Sequence, residues 1–349
     1  EVSRFTGADG LVMREEKRNN VVVKRPLQAA LDALAKHGLS QRSFSPTALQ
    51  TFASCPYKFV LYTIHKLAPR DAPDRIEELD ALRRGSLVHE TQYELLTSLR
   101  SKGLLPIKRT TMEAAREELY VVLMRVAEKY RQDLLPSIER VWADTVAGIN
   151  ADLIEWLRLV GRDVEERGWE PAYFELSFGL PDRKESDEHS QVEPVPLDCG
   201  LSLRGSIDLV ERRRDGSLRA TDHKTGKARA EEGERIAGGE RLQPVLYALA
   251  LEKLFPRTRV DGGRLFYCTS AGGFEDVNVP LDHEARAKAD IVASTIGGAI
   301  DAAFLPAAPA PGACRYCDFK AVCGPYEEER LRKKKGEELV HLRRLREQT

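Results

Sequence analysis

The sequence has no surplus of either charge: 54 Lys and Arg face 55 Asp and Glu over 349 residues. Net charge therefore does nothing to draw in a polyanion, and an anionic partner has to be met by a local basic surface. No apolar run approaches the ~20 residues of a membrane helix. The start, Glu1-Val2-Ser3-Arg4, has neither an initiator Met nor an apolar signal core, so the chain reads as cytoplasmic, without a membrane partner, and as a piece of something longer. Met and Trp are scarce, three of each, internal repeats are absent, and no Walker A sequence offers an ATP motor. A hydrophobic fraction of 42% argues against global disorder. The length suits two average domains, or one larger domain with insertions.

Cysteine is also sparse, six in all, too few for a disulfide scaffold of this size. Their placement says more than their number. Cys314, Cys317 and Cys323 form a C-x2-C-x5-C cluster, three soft thiolates on one short turn. A tetrahedral zinc or a cubane iron–sulfur cluster wants a fourth protein ligand. Cys55, in Ala53-Ser54-Cys55-Pro56, is the best candidate, because Cys199 and Cys268 sit within strand-like runs and read as buried small hydrophobes.

Residues 1–42 are polar and irregular apart from an amphipathic stretch at 27–37, and they read as the end of an upstream region. Ser45-Pro46 is a helix start, with Ser as N-cap and Pro at the first helical position. A second helix follows from about residue 79. Between residues 100 and 168 apolar residues recur at three- and four-residue spacing (Leu119, Val122, Leu123, Val126; Leu153, Trp156, Leu157, Val160), which predicts a helical insertion. Alternation then predicts strands at 171–180, 201–211 and 218–224, the last two joined by an Asp215-Gly216 turn, with a charged loop at 181–196. A helix at 239–254, a strand at 264–269 and a helix at 284–304 complete an α/β core spanning about 170–304. A Pro-rich stiff connector, the cysteine cluster at 314–323 and a charged helix at 326–349 finish the chain; the run Lys333-Lys334-Lys335 reads as a solvated face.

Asp222 and Lys224 are two apart in a strand and so share a face, while Asp208 sits near the end of the preceding strand. The turn between these strands can bring the two aspartates into one coordination sphere. A hard divalent cation such as Mg2+ or Mn2+ removes their repulsion and leaves open positions for water and phosphate oxygens, the inventory of phosphodiester hydrolysis. Lys224 would stand beside the attacking water. An Asp-x-Lys pair alone is a weak signal and reads first as a surface ion pair. Gln243 and Tyr247, at i and i+4, share a helix face that can flank the strand of Lys224. His89, beside the small pair Gly85-Ser86, is a candidate third ligand. Glu175, a lone acid in the first strand, reads as structural rather than as a ligand.

Taken in order, these residues resemble the RecB-type branch of the PD-(D/E)XK nuclease superfamily, in the form with an iron–sulfur staple. The resemblance covers 43–325 and rests on Ser45-Pro46-Thr47-Ala48-Leu49, Cys55-Pro56-Tyr57, Arg84-Gly85-Ser86-Leu87-Val88-His89-Glu90, Phe174-Glu175-Leu176, Arg204-Gly205-Ser206-Ile207-Asp208, Thr221-Asp222-His223-Lys224, Gln243-x3-Tyr247 and the final cysteines. It implies a restriction-endonuclease-like α/β fold, with a mixed central sheet flanked by helices. It further implies that His89, Asp208 and Asp222 bind the catalytic Mg2+ or Mn2+, that the carbonyl of His223 adds a ligand, that Lys224 is the catalytic lysine, and that Gln243 and Tyr247 position substrate and lysine. Cys55, Cys314, Cys317 and Cys323 fill the cluster positions, which implies [4Fe–4S] rather than zinc. An aromatic often stands where this chain has His223. Such domains also close helicase–nuclease proteins of the AddB kind, so a helicase module is an implied partner.

The leading expectation is thus a metal-dependent DNA exonuclease acting on single strands or duplex ends in repair or recombination, gripping phosphates through basic clusters such as Arg212-Arg213-Arg214. The alternative is a DNA-binding scaffold of the same fold that cuts nothing.

Overall fold

The computed structural model describes residues 13–18, 21–26, 28–68, 77–181, 186–324, 326–332, 334 and 336–349. Leu27, residues 182–185 of the charged loop, and Lys333 and Lys335 of the lysine run lie outside them. The stretch read as irregular begins with a hairpin, β1 (Met13–Arg18) and β2 (Val21–Pro26), followed by α1 (Gln28–Ala35). The β-branched run Val21-Val22-Val23 favours a strand there.

Ser45 caps α2 (Pro46–Ser54) by accepting from the Ala48 N–H, and α3 (Pro56–Phe59) follows directly. Asp80 caps α4 (Ala81–Ser101) in the same way, accepting from Arg83 N–H at 2.8 Å. Next come α5 (Met112–Leu134) and α6 (Glu139–Arg162), the latter extended by a π-helical turn at Asp163–Arg167. Their apolar stripes, including Leu95, Leu99, Leu119, Val122, Leu153 and Trp156, pack into one core and form a helical layer.

The central sheet has the order β3 (Trp169–Phe178), β6 (Gly205–Arg213), β7 (Leu218–Lys224), β8 (Val260–Tyr267) and β9 (Asp276–Pro280). A small hairpin, β4 (Val195–Pro196) with β5 (Ser202–Leu203), lies between the first two in sequence. β3, β6 and β7 are antiparallel neighbours, β7 and β8 are parallel, and β8 and β9 antiparallel. The parallel step requires a crossover, supplied by α7 (Gln243–Leu254). At Gly263 a Cβ would lie 2.2 Å from the Pro244 carbonyl oxygen, so glycine lets the first turn of α7 sit directly on β8. The edge strand β9 does not show in the sequence, because its Val277 and Val279 are flanked by polar residues.

The second face of the sheet carries α2, α7, α8 (His283–Asp301) and α11 (Val340–Arg346) around a larger core. Two expectations for the end of the chain change. The Pro-rich connector is not a free spacer: Leu305–Ala310 is buried and pairs with the α2–α3 junction through Tyr57 N–H to Pro306 O and Ala310 N–H to Ser54 O. After α9 (Lys320–Cys323) and α10 (Glu327–Leu331), α11 buries Leu342 and Leu345, and Arg346 donates to the carbonyls of Ala53, Ser54 and Ala308. The charged terminal helix therefore has an apolar side that closes on α2.

Candidate active site

α4 brings His89 to the sheet. One turn earlier, a Cβ on Gly85 would stand 3.3 Å from Thr225 Oγ1, so the small residue allows the helix to approach the end of β7. The register pairs Leu209 with Thr221, which places Asp208 of β6 beside Asp222 of β7. Glu175 of β3 lies between the pairs Phe174–Leu209 and Leu176–Ile207, next to Asp208 on the other side. Its φ is +48°, a conformation costly for a side chain other than glycine. The break changes which face follows: Phe174 packs with the helical layer, whereas Leu176, two residues on, packs in the opposite core. One ligand atom each of His89, Glu175 and Asp208 lie within 4.8 Å of one another. His89 Nδ1 is 3.4 Å from Asp208 Oδ2, and Ser206 Oγ donates to Glu175 Oε2 at 2.7 Å.

Burial, followed by repulsion from Asp222, holds the Asp208 carboxyl well above the ordinary carboxylate range, although it accepts from the His223 N–H at 2.7 Å. Burial lowers the pKa of His89 against the pull of Glu175 and Asp222, so its imidazole is neutral and available as a ligand. For Lys224 burial acts downward, but Asp222, 2.5 Å away, reverses it and the pKa is raised; the ammonium stays protonated. Burial and then the three carboxylates push the Tyr247 phenol well up. A Cβ on Gly205 would come 2.9 Å from Tyr247 Cε1, so glycine makes room for this ring over β6. Oxygen donors with one neutral imidazole, in a pocket where negative charge lacks enough compensation, fit a divalent cation.

Not every expected residue joins the three-atom group. Asp222 is adjacent but engaged by Lys224. The His223 side chain is buried, its Nε2 accepting from Trp156 Nε1–H at 3.2 Å, and burial pushes its pKa well down. It thus occupies the aromatic position by packing against Trp156 and Phe266. Gln243, the first residue of α7, accepts from Gln50 Nε2 at 3.4 Å rather than contacting Lys224. Arg212 and Arg213 end β6 and Arg214 follows it, the first of them already about 13 Å along the strand from Asp208 at its per-residue rise. Arg213 is tied to Asp261 at 3.0 Å and Arg212 to the Tyr173 hydroxyl. Sequence reasoning set aside Glu175, which the structure puts in the cluster; no period-two pattern reveals a positive φ. Its one available signal was the Phe174-Glu175-Leu176 motif.

Cys55, Cys314, Cys317 and Cys323 all line one pocket of about 920 Å³. Burial, then neighbouring acids and thiols, pushes Cys314 to about 11; burial, then Cys55, pushes Cys323 to about 11 as well. Among the described residues no three of these sulfurs come within 4.8 Å of one another, which is wider than the ligand sphere of a single tetrahedral zinc. Of the other two, Cys268 is fully buried, with its thiol pushed up to about 12 by burial, and Cys199 is half-buried against the core.

Among the described residues no helix is long and apolar enough to cross a membrane. The chain is 25% identical over 251 residues to a subunit of the ATP-dependent helicase/deoxyribonuclease of Carboxydothermus hydrogenoformans, an alignment covering 69% of this chain and 22% of that protein. The chain therefore spans about a fifth of that relative's length. Residues 43–324 match the PD-(D/E)XK nuclease superfamily, and the five-stranded mixed sheet flanked by helices is its fold. The chain belongs to the PD-(D/E)XK nuclease superfamily.

Proposed function

We propose that the chain is the nuclease unit of a DNA-processing enzyme, hydrolysing phosphodiester bonds as an exonuclease on single strands or duplex ends. The observation that carries this reading is the convergence of His89, Glu175 and Asp208 beside an Asp222–Lys224 pair. His89, Glu175 and Asp208 would hold Mg2+ or Mn2+, with Asp222 and the carbonyl of His223 completing the set. A divalent cation there supplies polarisation of a phosphoryl oxygen and acidification of a water.

The chain's own groups do the rest. Lys224, kept protonated by Asp222, presents an ammonium to the charge that develops on the phosphoryl oxygens. Tyr247, kept protonated by burial and its acidic surroundings, is a second donor, and Gln243 positions the strand near α7. Removing one such donor costs on the order of 10²–10³-fold in rate.

We read the four cysteines as [4Fe–4S] ligands rather than zinc ligands; the support is that all four line one pocket while, among the described residues, no three sulfurs draw together. Such a cluster would bind the α2–α3 junction to the segment after the connector. The named activity of the C. hydrogenoformans relative supports a helicase partner and a role in DNA repair, and reduced thiols suit the cytoplasm.

The test is digestion of end-labelled single- and double-stranded DNA with Mg2+ or Mn2+. Wild type cuts, whereas Lys224→Ala binds without cutting. If wild type binds DNA and cuts nothing under any of these conditions, the scaffold reading replaces this one.

A further inference from the structure

A second cluster of charged side chains lies upstream of the acidic centre, and it is all of one sign. Arg42, half-buried, places Nη1 2.7 Å from His37 Nδ1, donates through Nη2 to the Thr63 carbonyl at 3.3 Å, and stacks 4.9 Å over the Phe44 ring. The segment carrying it is fixed by backbone bonds to the β5–β6 region: Phe44 N–H to Ser202 O, Arg204 N–H to Phe44 O and Ser202 N–H to Leu39 O. Arg204 is thereby brought close to Arg42, and His65 and Lys36 close to His37.

Among the described residues no ion pair to a carboxylate joins any of these five groups. Burial, then the neighbouring cations, lowers the pKa of both His37 and Arg42. Basic groups gathered on a partly desolvated surface disfavour one another's charge, and an anion relieves that cost. The packing explains how Arg42 is held but not why His37 and Arg204 are gathered beside it.

The position indicates which anion. Arg204 stands two residues before Ser206, which donates to Glu175 of the acidic cluster. Asp208 lies two residues further on, so Arg204 stands about 13 Å along the extended chain from it, the scale of two steps between phosphates along a nucleic-acid strand. We propose that Arg42, Arg204, His37 and His65 form a subsite for a phosphate of the strand being cut, about two nucleotides from the scissile bond. This deepens the nuclease reading and rests on it. Arg42 is oriented by Thr63 and Phe44 as the fixed donor, Arg204 completes the charge, and with its Nδ1 accepting from Arg42, His37 presents Nε2–H.

The test uses the full chain in the Lys224→Ala background, so that DNA survives, and measures affinity for a single-stranded oligonucleotide against salt concentration. Each lost phosphate contact flattens the log–log salt slope by about 0.7. Arg42→Gln and Arg204→Gln should each flatten it by about that much and weaken binding several-fold at low salt. Arg140→Gln, on the exposed face of α6, should leave the slope as it was. Arg204 makes no side-chain hydrogen bond or ion pair among the described residues, so its variant keeps the test valid even if Arg42→Gln unfolds. Unchanged slopes in variants with unchanged melting temperature overturn the subsite while DNA binding itself stands. Absence of any DNA binding by the background protein overturns the nuclease reading, and the subsite with it.

Discussion

The backbone N–H of His223 donates to Asp208 Oδ2 at 2.7 Å. The peptide group between Asp222 and Lys224 thus holds the carboxylate of the neighbouring strand, and three consecutive residues of β7 act on one site. Asp222 anchors the Lys224 ammonium, and His223 steadies Asp208 through its backbone.

With Asp208 as a ligand, metal binding should depend on pH. Its carboxyl titrates well above the ordinary range through burial and Asp222. An acid with a raised folded pKa binds more protons folded than unfolded, so the metal-free protein loses stability as pH rises from about 4 through that pKa. A cation has to displace this proton, so affinity for Mn2+ should rise with pH across the same window, with proton release visible by calorimetry in buffers of different ionisation enthalpy. Asp208→Asn should stabilise the metal-free protein above that window, by about 1.4 kcal/mol for every tenfold difference in proton affinity between the folded and unfolded carboxyl, and abolish tight Mn2+ binding.

Behind the site, Glu211, Arg219, Arg264 and Asp163 form a buried network that joins the end of α6 to the sheet. Arg264 reaches Asp163 at 2.6 Å and Glu211 at 3.1 Å, and Arg219 reaches both acids as well. Burial alone would raise Glu211, but the two guanidinium groups outweigh it and hold the carboxyl below its usual range. Its stabilisation is therefore fully present above about pH 4.5 and lost as pH falls through the lowered value. Glu211→Gln leaves two buried guanidinium groups with Asp163 and the more distant Asp276 and should cost about 3–5 kcal/mol at pH 7 in urea unfolding. The loss should shrink toward pH 3.

Two glycines should separate positioning from folding. Gly205→Ala pushes on one side-chain ring, that of Tyr247, and should cost about 1–3 kcal/mol, with a lower cleavage rate. At Gly263 the clash is with backbone, so Gly263→Ala should prevent α7 from seating and yield little folded protein by circular dichroism.

The cysteine pocket predicts a spectroscopic and a chemical signature. Anaerobically purified protein should be brown, with visible charge-transfer absorbance, and Cys55→Ser should lose both the colour and several degrees of melting temperature. In cluster-free protein, Cys314 and Cys323, both pushed up to about 11, should alkylate slowly at pH 8 and speed up toward that value, because the thiolate is the reactive form.

Much of this protein is decided within short windows. The Ser45 cap, the stripes of α5 and α6, strand β7 and the Asp-x-Lys spacing are local matters of propensity and period, and the structure follows them. The joint order of the motifs was also enough to indicate the superfamily. What only the tertiary structure decided are the relationships that no window contains. Glu175 meets His89 and Asp208 because of one backbone break in β3. Gln243 turns to Gln50, Arg213 is neutralised by a distant Asp261, and the terminal helix folds its leucines onto α2. A carboxylate's role depends on which charges and donors surround it in space, and that neighbourhood exists only once strands and helices far apart in sequence have packed.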